Sequence, residues 1–183
     1  MAAALPSPTQ IVGFWRDAGP RCWFGGGPEF DAEVRRRFEA SHFAAARREA
    51  EDWGAEADGA LALLILLDQF PRNLFRGTAH AFATDPLARL CAAAACDAGF
   101  DRQAEPGLRQ FFYLPFEHSE QLEDQQRGVA LALASGDAEI VKWARVHHDI
   151  IARFGRFPHR NRVLGRSTTP GEQAFLDDGG FSG

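Results

Sequence analysis

Asp58-Gly59-Ala60-Leu61-Ala62-Leu63-Leu64-Ile65-Leu66-Leu67-Asp68-Gln69-Phe70-Pro71 is the stretch on which the fold turns. Ala60 to Leu67 is the longest apolar run in the chain and is closed by Asp68. It falls far short of the roughly 20 residues that a membrane span needs. A helix that is apolar all round is one surrounded by protein. A buried strand could have this length, but the leucine-rich composition and the lack of flanking strand signals favour helix. The reading is therefore a central helix over Gly59–Gln69, capped by Asp58. It stops before Pro71, because the residue ahead of a proline avoids helical angles. Leu63, Leu64, Leu67 and Phe70 are then core, with Phe14 and Trp15 packed nearby.

The segments on either side read as helices too. Ser7-Pro8 is an N-cap followed by proline at the first helical position, and Gly19 ends that helix near Ala18. Ile11, Phe14 and Trp15 give it one apolar face. Gly25-Gly26-Gly27-Pro28 lacks a preceding strand and a phosphate-loop spacing, so it is a turn. Asp31 caps a helix from Ala32 to about Ala50. Asp85-Pro86 opens another, ended by Gly99. Pro115 opens one to about Ser135, on which Glu117, Glu120 and Asp124 share a face. Gly136-Asp137 breaks that helix and caps the next, which ends at Gly155. Thr169-Pro170-Gly171-Glu172 is a capping box for a last short helix. No segment shows a period of two. The expectation is an all-α fold: one helical domain over residues 8–178, built as an array of helical hairpins, with flexible ends at 1–7 and 179–183.

Composition narrows the function classes. The chain has 183 residues, a net charge of −5 and 45% hydrophobic residues, an ordinary globular balance. Lys142 is the only lysine among 20 basic side chains. An acidic chain is a poor general nucleic-acid binder, so no nucleic-acid partner is expected. Cys22, Cys91 and Cys96 are odd in number and form no Cys-x-x-Cys pair, so they read as small buried hydrophobes. The N-terminus has no basic, apolar signal segment, which together with the cysteines points to the cytoplasm and no membrane partner.

Metal and nucleophile motifs are missing. There is no Glu-x-x-His, His-x-x-x-His or Gly-x-Ser-x-Gly. No metal and no cofactor are expected, and the sequence assigns no catalytic role.

The strongest local signal is a reversal of charge. Arg153, Arg156, His159, Arg160, Arg162 and Arg166 lie in a segment with no acid between Ile150 and Gly171. One reading is structural, with arginines capping helix ends and pairing with Asp68, Glu120 or Asp124. The other is an anion site, because a guanidinium fork suits carboxylate or phosphate. An internal echo supports similar jobs at two places: Gln69-Phe70-Pro71-Arg72-Asn73 and Arg156-Phe157-Pro158-His159-Arg160-Asn161. His147 leans on Ile150 and Ile151 and reads as a core histidine. His42 and His148 read as surface. His118, after an aromatic approach and beside acids, is a candidate titratable base.

These strings carry a resemblance. Leu66-Leu67-Asp68-Gln69-Phe70-Pro71-Arg72-Asn73, Tyr113-Leu114-Pro115 with His118-Ser119-Glu120, and Phe154 to Asn161 occur in order. Leu164-Gly165-Arg166 and Thr168-Thr169-Pro170 follow. The chain resembles the bacterial domain-of-unknown-function family 924 over nearly its whole length. The resemblance implies an all-α, tetratricopeptide-like helical array and implies no activity.

The functional expectation is a polar pocket at helix ends that binds a small anionic molecule, a carboxylate or a phosphate. The first turn offers Asp68, Arg72 and Asn73, and the second offers Arg156, His159, Arg160 and Asn161. His118, Glu120 and His147 complete the candidate set, and the two turns are expected to lie close together. The alternative is a tetratricopeptide-like scaffold that binds a peptide or a partner protein.

Overall fold

The structure is a computed structural model, and it describes residues 5–183. The expected flexible segment 1–7 lies outside the described residues for positions 1–4. Every regular element among the described residues is helical. The chain packs as two compact units. The first holds the residues up to Arg76 together with His80–Pro115, and the second holds Gly77–Ala79 with Phe116–Gly183.

In the first unit, α1 (Pro8–Trp23) starts at a Ser7–Gln10 capping box and kinks at Gly19. The kink stands where the sequence ends the helix, but a second helical turn resumes after it. Next, α2 (Gly27–Ala46) begins earlier than its sequence suggests, because Pro28 occupies the first turn. Asp31 is therefore not a cap. It lies within α2 and accepts hydrogen bonds from Asn73 Nδ2 at 2.8 Å and Arg76 Nε at 2.7 Å. The helix ends at Ala46 rather than Ala50, where Arg48 takes a left-handed backbone.

The decisive stretch forms α3 (Ala57–Leu64), with Asp58 in its first turn rather than at its cap. Gly59 is required there: a Cβ would stand 2.1 Å from the Trp53 carbonyl oxygen. Leu63, Leu64, Leu67 and Phe70 are buried, as the pattern demands. Full burial of a leucine side chain contributes about 2 kcal/mol. The rings of Phe14 and Trp15 contact Phe70 edge-on at 6.2 and 5.5 Å.

The helix does not stop before Pro71. It widens into a π turn over Ile65–Gln69 and re-forms as α4 (Phe70–Leu74), with Pro71 in the first turn. The wider turn puts proline where its missing N–H leaves no helical bond broken. The carbonyls exposed by this change are met by side chains. His42 Nδ1 donates to Leu66 O at 2.9 Å, and the Thr84 hydroxyl donates to Leu67 O at 2.5 Å. Arg72 donates to Asp68 O. His42 is thus fully buried, not on the surface as expected. The missed signal is its place one turn after Phe38, on the apolar face of α2.

The unit closes with α5 (Asp85–Asp97), which follows the expected bounds, and the short α6 (Pro106–Arg109). The three cysteines are half-buried rather than buried, and none is in a disulfide.

The expected helix from Pro115 to Ser135 is two helices. Between α7 (Leu114–Glu117) and α8 (Leu122–Ser135), residues 118–121 are non-helical. Glu117, Glu120 and Asp124 therefore do not form one stripe. In the second unit, α8 packs on α9 (Ala138–Phe154) as a hairpin. Asp137 caps α9, accepting from the backbone N–H of Glu139 and Ile140. Gly155 ends it with a left-handed φ of 68°. The last helix, α10 (Pro170–Asp177), carries the expected capping box at Thr169 and Glu172. Ile150, Ile151 and Phe157 form a small core under Phe154, Phe175 and Phe181. No helix among the described residues is long and apolar enough to cross a membrane.

Candidate functional site

The two Phe-Pro turns fall in different units, so each is built up separately. In the first unit, Asp68 is almost wholly buried by the apolar helix that carries it. A carboxylate there needs partners. Gln69 Nε2 donates to it at 2.5 Å, and Arg72 Nη1 stands 3.4 Å away. The pairing of Asp68 with an arginine, one of the two readings of the sequence, is made by Arg72. The same guanidinium makes a fork on Asp85, at 3.0 and 3.1 Å. Asn73 links to Asp31, and Arg76 joins the same carboxylate. Burial opposes ionisation of Asp31, but Arg76 and Asn73 outweigh it and hold the carboxyl below its usual range. Every candidate in this turn is tied to another element of its own unit.

In the second unit, α9 ends at Gly155 and turns the chain into Arg156-Phe157-Pro158-His159-Arg160-Asn161. Arg156 grips Glu172 with Nε at 2.6 Å and Nη2 at 2.9 Å. Asn161 Nδ2 reaches the same carboxylate at 3.3 Å. The Arg156 bond, with the Thr169 N–H, holds the Glu172 carboxyl down to about 2. Glu120 accepts from the Phe157 N–H at 2.9 Å and from both ends of the Arg166 fork at 2.8 Å. Burial works against its ionisation, yet Arg166 and Phe157 keep its pKa low. Arg156, Asn161, Glu120 and the additional Arg166 therefore brace the turn.

Residues 118–121 are pinned as well. Gln125 Nε2 donates to the carbonyls of Glu117 and Ser119 at 2.6 and 2.7 Å. Arg160 Nη1 donates to His118 O at 3.1 Å, and Ser119 Oγ donates to Asp124 at 2.6 Å. The loop is thus held at its backbone, which positions the His118 ring.

Two histidines, His147 and His159, contact Phe157, and His118 contacts His147. The His147 ring lies 6.1 Å from that of His118 and 5.8 Å from Phe157. His159 stands 5.6 Å from Phe157. Phe181 touches both, 4.8 Å from His147 and 5.3 Å from His159. The Arg160 guanidinium lies over the Phe157 ring at 4.5 Å. His147 is buried as expected, its Nδ1 donating to Trp143 O at 2.8 Å. Glu117 Oε2 stands 3.3 Å from the same nitrogen.

Burial, and then the charges of Arg160, His147 and His118, push the His159 imidazole down to about 3. Its Nδ1 is buried with no hydrogen-bond partner. Glu117 Oε2, Gln125 Oε1 and Asn161 Oδ1 are also buried without one. Glu117, Gln125 and Phe181 were not in the sequence-derived set. Glu117 carried a signal, since it adjoins His118, whereas nothing local marks Phe181. Among the described residues, no three His, Cys, Asp or Glu side chains are arranged to hold a metal ion.

The family described as "Bacterial protein of unknown function (DUF924)" matches residues 11–180. The chain belongs to this family. A solved structure of a protein of unknown function from Agrobacterium tumefaciens is similar to it, at 50% sequence identity and a TM-score of 0.90. The match covers 93% of this chain and 97% of that one. No curated protein matches the chain. Family membership thus accounts for the motif order and the all-α fold, and it brings no activity with it.

Proposed function

We propose that the second unit binds a small anionic molecule at the cluster of His118, His147, His159 and Arg160. The observation that carries this reading is His159 Nδ1, buried without a partner among cationic and titratable neighbours. Buried polar atoms in native proteins are almost always hydrogen-bonded, to protein, water or ligand. A neutral imidazole can present an N–H there, and Arg160 supplies positive charge beside it. A carboxylate or phosphate oxygen satisfies both. This reading leaves out the first turn, where Arg72 and Asn73 reach the carboxylates of Asp85 and Asp31.

The test is a titration of labelled protein with propionate and with inorganic phosphate, followed through the histidine ring nitrogens by NMR. Binding is expected to move the His159 signals and to raise the His159 pKa, because an anion favours the imidazolium. If millimolar levels of both anions leave all three rings unmoved, the reading is wrong.

A second reading, a helical scaffold for a peptide, is favoured by a different surface. The α8–α9 hairpin carries an open groove of about 330 Å³ lined by Gln126, Val129, Arg145, His148 and Asp149. Leu133 on α8 and Trp143 on α9 are large apolar side chains left exposed.

A further inference from the structure

The buried atoms of the second unit that lack partners are mostly acceptors. Glu117 Oε2 and Asn161 Oδ1 can only accept. Gln125 Oε1 is an acceptor by assignment, because its amide nitrogen serves two carbonyls and fixes which way the group faces. A simple anion brings no donor to any of them. It would also set a second negative charge near a carboxylate that is only 2% exposed. Like charges close together in a buried site repel strongly. Glu117 is joined to the histidine cluster through His147, at 3.3 Å from its Nδ1. The His147 proton on that nitrogen is directed to Trp143 O, so Glu117 Oε2 is left to find a donor elsewhere.

We infer that the ligand of this site is a small zwitterion of the amino-acid class, its ammonium group donating to Glu117 Oε2 and its carboxylate facing His159 and Arg160. This rests on the anion reading above and narrows it to carboxylate rather than phosphate. The ammonium offers N–H donors to the acceptor side, and its charge offsets that of Glu117. The carboxylate takes the N–H of His159 and the field of Arg160. The rings of Phe157 and Phe181 pack against His147 and His159, so the surroundings of the two imidazoles are aromatic.

The experiment compares L-alanine, propionate, glycine, its trimethylated analogue betaine, and inorganic phosphate on the full chain by NMR titration. L-alanine is expected to bind at least about tenfold tighter than propionate, and glycine tighter than betaine, which keeps the charge but has no N–H. Glu117→Gln is expected to abolish the preference for L-alanine, because the ammonium loses its partner while propionate, freed from the repulsion of the carboxylate, binds more tightly. If L-alanine binds no tighter than propionate, the zwitterion inference falls and the anion reading stands. If neither binds, both fall. If the preference survives in Glu117→Gln, Glu117 is not the ammonium partner and the inference is overturned. The glycine–betaine pair decides the matter on wild-type protein should the variant not fold, since equal binding of the two removes the donor from the argument.

Discussion

The two Phe-Pro turns share their letters and differ in what surrounds them. In each, a buried phenylalanine precedes the proline, and an asparagine reaches a carboxylate on another helix: Asp31 on α2 for Asn73, Glu172 on α10 for Asn161. The arginines part company. Arg72 lies between the carboxylates of Asp68 and Asp85, whereas Arg160 donates to a backbone carbonyl and covers an aromatic ring. The extra residue in the second turn is His159, whose ring nitrogen is buried without a partner. The repeated motif therefore serves two backbone tasks: the first copy sits where a π turn passes into α4, and the second follows the end of α9. The charge balance around the two copies differs: carboxylates surround Arg72, and an aromatic ring and a backbone carbonyl meet Arg160.

The sharpest way to break this comparison is to remove each arginine. Arg72→Ala leaves Asp68 buried with one cation fewer, and losing one partner of a buried pair costs roughly 3–5 kcal/mol. Arg160→Ala removes the hydrogen bond to His118 O, the contact with the Phe157 ring and a cation that acts on Glu120, and a loss of roughly 1–3 kcal/mol is expected. Equilibrium urea unfolding of both variants measures the two losses. Equal losses would mean that the turns carry the same load.

A smaller effect is expected from pH. His159 has its folded pKa depressed from 6.5 to about 3. The unfolded chain therefore takes up a proton first as pH falls, so stability present above pH 6.5 is lost progressively toward pH 3. His159→Gln removes this dependence. Wild type and variant should diverge by about 2 kcal/mol over the first two pH units below neutrality. Parallel stability curves would show that His159 is solvated in the folded state.

The smallest expected effect belongs to the first turn. Thr84→Val keeps the shape of the side chain and removes the hydroxyl that meets Leu67 O. Leaving that carbonyl without its donor costs about 1–2 kcal/mol. Faster amide exchange through the π turn should accompany it, and unchanged stability would mean that water replaces the hydroxyl.

Much of this architecture could be read locally. Ser7, Asp137 and the Thr169–Glu172 box cap helices through bonds that span three residues or fewer, so neighbouring letters contain them. Gly99, Gly136 and Gly155 end helices at left-handed φ, which again is a property of one residue. The core residues Leu63, Leu64, Leu67 and Phe70 follow from an apolar run that no solvated helix could carry.

The misreadings have a common cause. Pro71 was expected to end a helix, because the rule for prolines counts the bonds of a regular α-helix. The π turn evades that count, and it is supported by His42, Thr84 and Arg72, which lie up to 24 residues away. Asp31 looked like a cap because its partners, Asn73 and Arg76, are more than 40 residues distant. The sequence by itself determined the helices, most of their ends, the central core and the residue types available for chemistry, since these depend on backbone preferences and on apolar periodicity. Only the tertiary structure decided which arginine meets which carboxylate and which histidine is left without a partner. Side-chain pairing is settled by distance in space, and a charge in the sequence carries no record of its neighbour.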